Sequence, residues 1–170
     1  AIKGYDRSKL FLVSKVFSDH LRYADVLESC KLSLKRMQVG YLDLYLIHAP
    51  NPDVPVSETL RAFDELKEQG LIRNIGVSNF NVEQLKEAQA ATKNLIVTNQ
   101  IHYSLADQTW REVVEYCQKN DVLVTAYRPI ERGILLKTGI GILDEMCQKY
   151  KKTPAQIKSQ PPTTHRLLGG

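Results

Sequence analysis

Apolar and polar positions along this chain follow two alternating rhythms. Predominantly apolar runs stand at residues 10–14, 42–47, 71–77, 95–97 and 122–126. Such runs mark parallel strands covered on both faces. Between them, apolar residues return every three or four positions, as on one face of a helix. The stripes are Leu27, Cys30, Leu34 and Met37, then Leu60, Phe63 and Leu66, then Val82, Leu85 and Ala88, then Trp110, Val113, Val114 and Cys117. Punctuation agrees with this reading. Pro50, Pro52 and Pro55 break the chain after the second run. Ser57 is placed to cap the next helix and Gly70 to end it. Asn81 with Gln84 three residues on forms a variant capping box. Thr153-Pro154 opens a last helix, which Pro161-Pro162 stops.

Strand starts near 10, 42, 72, 96 and 122 give five successive βα units. Strict alternation with short loops predicts an α/β fold with a parallel sheet and right-handed crossovers. A doubly wound sheet and a (β/α)8 barrel both satisfy this. No glycine-rich loop follows the first strand, which disfavours a dinucleotide-binding Rossmann unit. The expected architecture is the TIM-barrel type. A whole barrel takes about 250 residues and eight strands, so five units in 170 residues predict an incomplete one. The expected division is a partial barrel domain over residues 1–157 and an irregular basic tail over 158–170. The chain opens on Ala1 rather than Met, which fits trimming or a fragment.

Composition narrows the class. Hydrophobic residues at 43% and charged residues at 25% fit an ordinary globular protein. No apolar stretch approaches the ~20 residues that span a bilayer, and no signal-peptide pattern is present. Of the 23 Lys and Arg, five (Lys149, Lys151, Lys152, Lys158 and Arg166) lie in the last 22 positions, where no acidic residue stands. The other 18 face all 19 Asp and Glu. The net charge of +4 therefore belongs to the tail and does not mark a nucleic-acid surface. Cys30, Cys117 and Cys147 form neither a disulfide framework nor a zinc pattern. Cys30 and Cys117 lie on helical stripes and read as buried structural thiols, which fits the reducing cytoplasm. No histidine–carboxylate spacing suggests a metal. His20, His102 and His165 read as surface residues.

In a barrel, the C-terminal ends of strands face the active site. Two runs end there in polar groups: Leu42-Asp43-Leu44-Tyr45-Leu46-Ile47-His48 and Gly76-Val77-Ser78-Asn79-Phe80. Further runs join them: Leu12-Val13-Ser14-Lys15, Asn99-Gln100 and Ala126-Tyr127-Arg128-Pro129. In this order and spacing they resemble the aldo-keto reductases, over residues from about 8 to 157. The match covers that family's third through seventh βα units.

The resemblance implies reduction of aldehyde or ketone carbonyls to alcohols with NADPH, or NADH as the alternative, and a small-molecule carbonyl substrate. It implies that Lys15 lowers the pKa of a tyrosine acid and that His48 orients and polarises the carbonyl. Ser78, Asn79 and Gln100 would hydrogen-bond the nicotinamide carboxamide, and Tyr127 would stack under the ring. The family's proton-donating tyrosine and its aspartate partner fall outside the match, as do its first two strands and its eighth. Asp43 lies inside a strand and reads as structural, and Arg128 replaces a small polar residue. Weak or no turnover is therefore expected of this polypeptide. The alternative is a non-catalytic nucleotide-binding or interaction module. Open strand edges predict self-association or a complementing chain that supplies strands.

Overall fold

The structure, a computed structural model, describes residues 4–104, 107–129 and 141–158. Its strands are β1 (Val13–Val16), β2 (Leu42–Ile47), β3 (Ile72–Ser78), β4 (Ile96–His102) and β5 (Leu123–Tyr127). Helices α1 (Tyr23–Met37), α2 (Val56–Glu68), α3 (Val82–Ala90) and α4 (Arg111–Lys119) alternate with them, and α5 (Gly141–Tyr150) and α6 (Pro154–Lys158) follow. The five strands form one sheet in sequence order, with parallel ladders between β1 and β2 and between β2 and β3. This is the predicted βα alternation. The chain divides into two compact units, residues 1–99 and 100–170.

In the first unit, β2 is buried along its whole length. Tyr45 stacks on Phe63 of α2, with ring centroids 5.1 Å apart. Leu60, Phe63 and Leu66 of α2 are fully buried, as the stripe predicted, and Cys30 and Leu34 of α1 are buried with them. The buried face of α1 includes Val26, while Leu27 is only half-buried. A turn of 3.6 residues does not fix phase over so short a stripe. Burying a side chain of the Leu or Phe class is worth about 1.5–3 kcal/mol, so these few residues hold the helices to the sheet.

Helix ends follow local chemistry in most places. Asn81 and Gln84 close the predicted capping box at α3, with each side chain accepting the other's backbone N–H. Gly70 sits at φ +71, beyond the end of α2, where a Cβ would be strained. There the Gly70 N–H donates to Lys67 O and the Leu71 N–H to Leu66 O, a Schellman closure. Thr153 caps α6 through its hydroxyl. Ser57 does not cap α2: the helix already begins at Val56, after Pro55, and Ser57 lies within its first turn. Proline's fixed φ suits it to this helix start. The Glu58 carboxylate instead accepts from the Tyr23 N–H and so caps α1.

β3 and β5 are each shifted by one residue from expectation, and two strands differ by more. β1 runs over Val13–Val16 rather than 10–14, and Phe11 is largely exposed. Its register is set by pairing with β2 (Val13 opposite Leu44), which the apolar run alone does not encode. β4 begins at Ile96, leaving Leu95 exposed, and extends to His102.

At the N-terminal end of β2, Asp43 is buried and gathers three donors. They are the Leu12 N–H at 2.8 Å, Arg7 at 2.7 Å and Arg73 at 3.3 Å. Both guanidinium groups also lie over the Tyr41 ring, at 3.9 and 4.0 Å. Burial pushes the Asp43 carboxyl up, but the Leu12 N–H and the Arg7 and Arg73 charges outweigh it and hold the pKa below the usual aspartate value. Asp43 is structural, as expected, and ties the segment before β1 to β2 and β3.

In the second unit, Val113, Val114 and Cys117 form the buried face of α4. Trp110 stands at its N-cap, half-buried. Leu143 is the buried residue of α5. The expected tail lies outside the described residues from 159 onward.

Candidate active site

The first unit places four candidate residues where β1, β2 and β3 end. Lys15 is in β1, opposite Leu46. Side chains alternate along a strand, so Lys15, Leu46 and His48 share one face. Gly76 pairs with Leu46 on β3 and Ser78 follows two residues on, on that face too. Gly76 is required there. A Cβ would lie 2.7 Å from Thr98 Cγ2 and 3.2 Å from Leu46 Cγ.

The Lys15 ammonium is half-buried, and no hydrogen bond or ion pair reaches it among the described residues. Burial pulls its pKa below the usual lysine value. A desolvated cation with its hydrogen-bonding capacity uncommitted is costly to stability. It is also what a site needs to stabilise negative charge on a neighbouring oxygen.

His48 follows β2 directly. Its N–H donates to Val16 O at 3.0 Å, which continues the β1–β2 ladder. Its ring meets Phe17 edge-on, with centroids 5.1 Å apart. Its carbonyl accepts from Asn79 Nδ2 at 3.0 Å, and the same Nδ2 lies 3.1 Å from the Ser78 hydroxyl. Asn79 therefore clasps the end of β3 to the end of β2. Its φ of +61 is left-handed, a conformation that asparagine adopts more readily than most residues.

Sequence reasoning gave no role to Asn99, which belongs to this assembly. It is fully buried. Its Nδ2 donates to Phe80 O at 2.9 Å, and its Oδ1 accepts from the Phe80 N–H at 3.5 Å. A side-chain amide that satisfies both polar groups of one residue pins the Ser78–Phe80 turn. The apolar run ends at Val97, short of the true end of β4 at His102, so only the Asn99-Gln100 pair drew attention to this position.

In the second unit, Gln100 lies in β4 and Tyr127 ends β5. His102 is not the surface residue expected. Its side chain is 22% exposed and its ring stacks on Tyr127, with centroids 5.4 Å apart and planes at 18°. The Asp107 carboxylate is 3.2 Å from His102 Nδ1. Hydrogen bonds from the Thr109 hydroxyl and N–H hold the Asp107 pKa below the usual aspartate value. The Arg128 guanidinium lies 5.9 Å from the centre of the Tyr127 ring. His20 is exposed, and His165 lies outside the described residues.

Cys30, Cys117 and Cys147 are free thiols, and burial pushes the Cys30 thiol up to about 11, far from reactive. A cleft of about 350 Å3 opens in the first unit between the proline-rich loop and α3, lined by Ile47, Pro50, Val54, Phe80 and Gln84 among others, and no candidate residue lines it. No helix among the described residues is long and apolar enough to cross a membrane.

In the first unit, the Ser78 hydroxyl and the Asn79 carboxamide are neutral groups that both donate and accept, the chemistry a primary carboxamide needs, and Lys15 offers a cation. In the second unit, Gln100 offers a further carboxamide and Tyr127 an aromatic ring.

Parallel strands alternating with helices, with Lys15, His48 and Ser78-Asn79 at successive strand ends, are the architecture of the (β/α)-barrel class. The model of the aldo/keto reductase family matches residues 1–159, and the chain belongs to that family. It is 36% identical over 154 residues to a glyoxal reductase of Bacillus subtilis, covering 91% of this chain and 54% of that protein. It is 36% identical over 160 residues to a methylglyoxal reductase of Salmonella typhimurium, covering 92% and 59%. Among solved structures, a thermostable aldo-keto reductase in complex with the inhibitor epalrestat superposes with a TM-score of 0.88 at 44% identity, over 92% of this chain and 58% of that one. An aldo-keto reductase of Klebsiella pneumoniae in complex with NADPH superposes with a TM-score of 0.84 at 32% identity, over 94% and 59%. The chain thus spans somewhat more than half the length of these relatives.

Proposed function

We propose that this chain carries the nicotinamide- and carbonyl-holding part of an NAD(P)H-dependent reductase of aldehydes or ketones. The observation that carries the reading is the shared strand-end face of Lys15, His48 and Ser78, with Asn79 clasped to the His48 carbonyl. A bound NADPH supplies the hydride. His48 donates a hydrogen bond to the substrate carbonyl oxygen and orients it. The Lys15 charge favours negative charge on a proton-donating group beside it. Ser78, Asn79 and Gln100 orient the carboxamide, and Tyr127 supports one face of the ring.

The complexes of relatives with NADP and NADPH support NADPH as the first cofactor to test, with NADH second. The relatives named for glyoxal and methylglyoxal make a small dicarbonyl the first substrate to try. The resemblance sets the proton-donating tyrosine outside the matched segments, so these 170 residues by themselves turn over weakly. The three free thiols support a reducing compartment, the cytoplasm. Phe11, Val13 and Phe17 are exposed at the β1 edge and support self-association or a complementing chain, which sedimentation of the purified chain reads directly.

The test is an NADPH titration followed by fluorescence, then addition of methylglyoxal. Saturable binding with slow consumption is expected. Binding without any consumption favours the non-catalytic nucleotide module, and no binding up to millimolar NADPH overturns both.

A further inference from the structure

We infer that His102, held by Asp107, is a positioning residue that sets the plane of the Tyr127 ring. The inference rests on the reading of Tyr127 as a support for the nicotinamide. The two rings stand at the ends of β4 and β5, nearly parallel and offset. A centroid distance of 5.4 Å with planes at 18° is the offset stack that aromatic rings favour. A tyrosine on a strand end keeps rotation about χ1 and χ2. A neighbouring plane on one face removes most of that freedom and presets the ring for a second planar group.

The imidazole is itself fixed. Asp107 Oδ2 lies 3.2 Å from Nδ1. Asp107 is fixed in turn by the Thr109 hydroxyl at 2.7 Å and the Thr109 N–H at 3.0 Å, and its own N–H donates to the Ser104 hydroxyl at 3.0 Å. The chain of contacts runs Thr109, Asp107, His102, Tyr127. Each member restrains the next, and His102 need not touch cofactor or substrate. A merely buried histidine would need neither the carboxylate on Nδ1 nor the ring-to-ring alignment.

A planar support held in advance avoids part of the ordering cost when a ligand binds. An offset stack contributes the equivalent of about two- to tenfold in an equilibrium constant. The inference is tested with the full 170-residue chain as wild type, His102→Ala and His102→Phe, each checked for folding by far-UV circular dichroism. Ring-proton resonances of Tyr127, assigned by loss in Tyr127→Leu, are read without ligand. NADPH affinity is read by fluorescence titration. His102→Ala is expected to shift the Tyr127 resonances downfield, as the neighbouring ring current is lost, and to weaken NADPH binding about two- to tenfold. His102→Phe is expected to restore both, because it keeps the plane and loses only the polar contact. Unchanged Tyr127 resonances in His102→Ala overturn the inference. So does a His102→Phe chain that binds NADPH as weakly as the alanine variant. If the wild type itself binds no NADPH, the nicotinamide reading of Tyr127 fails, and the resonance shift still decides whether His102 sets that ring.

Discussion

Replacing Asp43 by alanine removes one carboxylate and strands three donors. The Asp43 side chain is 6% exposed, that of Arg7 21% and that of Arg73 57%. The Arg73 contact, at 3.3 Å and more than half exposed, contributes little. The Leu12 N–H loses a charged acceptor at 2.8 Å, a bond worth about 1.5–3 kcal/mol. Arg7 loses its ion pair but keeps Leu10 O at 2.7 Å and Tyr41 O at 2.9 Å. Its cost therefore falls well below the ~3–5 kcal/mol of a fully stranded buried charge, to about 1 kcal/mol. Asp43→Ala should destabilise the chain by about 2.5–4 kcal/mol. Asp43→Asn keeps an acceptor for Leu12 and should cost about half as much. Urea unfolding followed by far-UV circular dichroism at pH 7 reads both. The Asp43 pKa is lowered in the folded chain, so its contribution is present above about pH 4 and is lost as acid protonates it. The gap between wild type and Asp43→Asn should close below that point. A cost under about 1 kcal/mol for the alanine variant, or a gap that does not depend on pH, refutes the reasoning.

Three further outcomes follow from the same geometry. Gly76→Ala drives a methyl to 2.7 Å from Thr98 Cγ2, a stiff β-branched group, and should cost about 1–3 kcal/mol in urea unfolding. Asn81→Ala removes the acceptor of the Gln84 N–H and half of the capping box, at about 1 kcal/mol, and should speed amide exchange in the first turn of α3. Lys15→Met should raise the thermal midpoint at pH 7, because burial penalises the charged amine. Folded Lys15 has the lower pKa, so wild-type stability rises as pH climbs through that value, and the advantage of the methionine variant should shrink at alkaline pH.

What the sequence disclosed was mostly local. The capping box of Asn81 and Gln84 and the left-handed closure at Gly70 depend on a few neighbouring residues, and both formed as read. The fully buried stripe of α2 depends only on helical period. β1 moved toward Val16 because strand bounds come from pairing, and the partner lies some thirty residues away at Leu44. Ser57 has a good capping side chain, but Pro55 had already turned the chain into the helix. Lys15, His48, Ser78 and Asn79 were legible as polar residues ending apolar runs, and the motif supplied their suggested roles. The stack of His102 on Tyr127 and the hold of Asn99 on Phe80 join residues far apart in sequence. No spacing rule announces either one.

The central claim is that this chain grips the nicotinamide end of the cofactor. Saturation-transfer NMR of NADPH with the 170-residue chain addresses it most directly. Strong transfer to the nicotinamide ring protons is expected, reduced by Ser78→Ala and by Tyr127→Leu. Transfer confined to the adenine protons, or none at all, would contradict it.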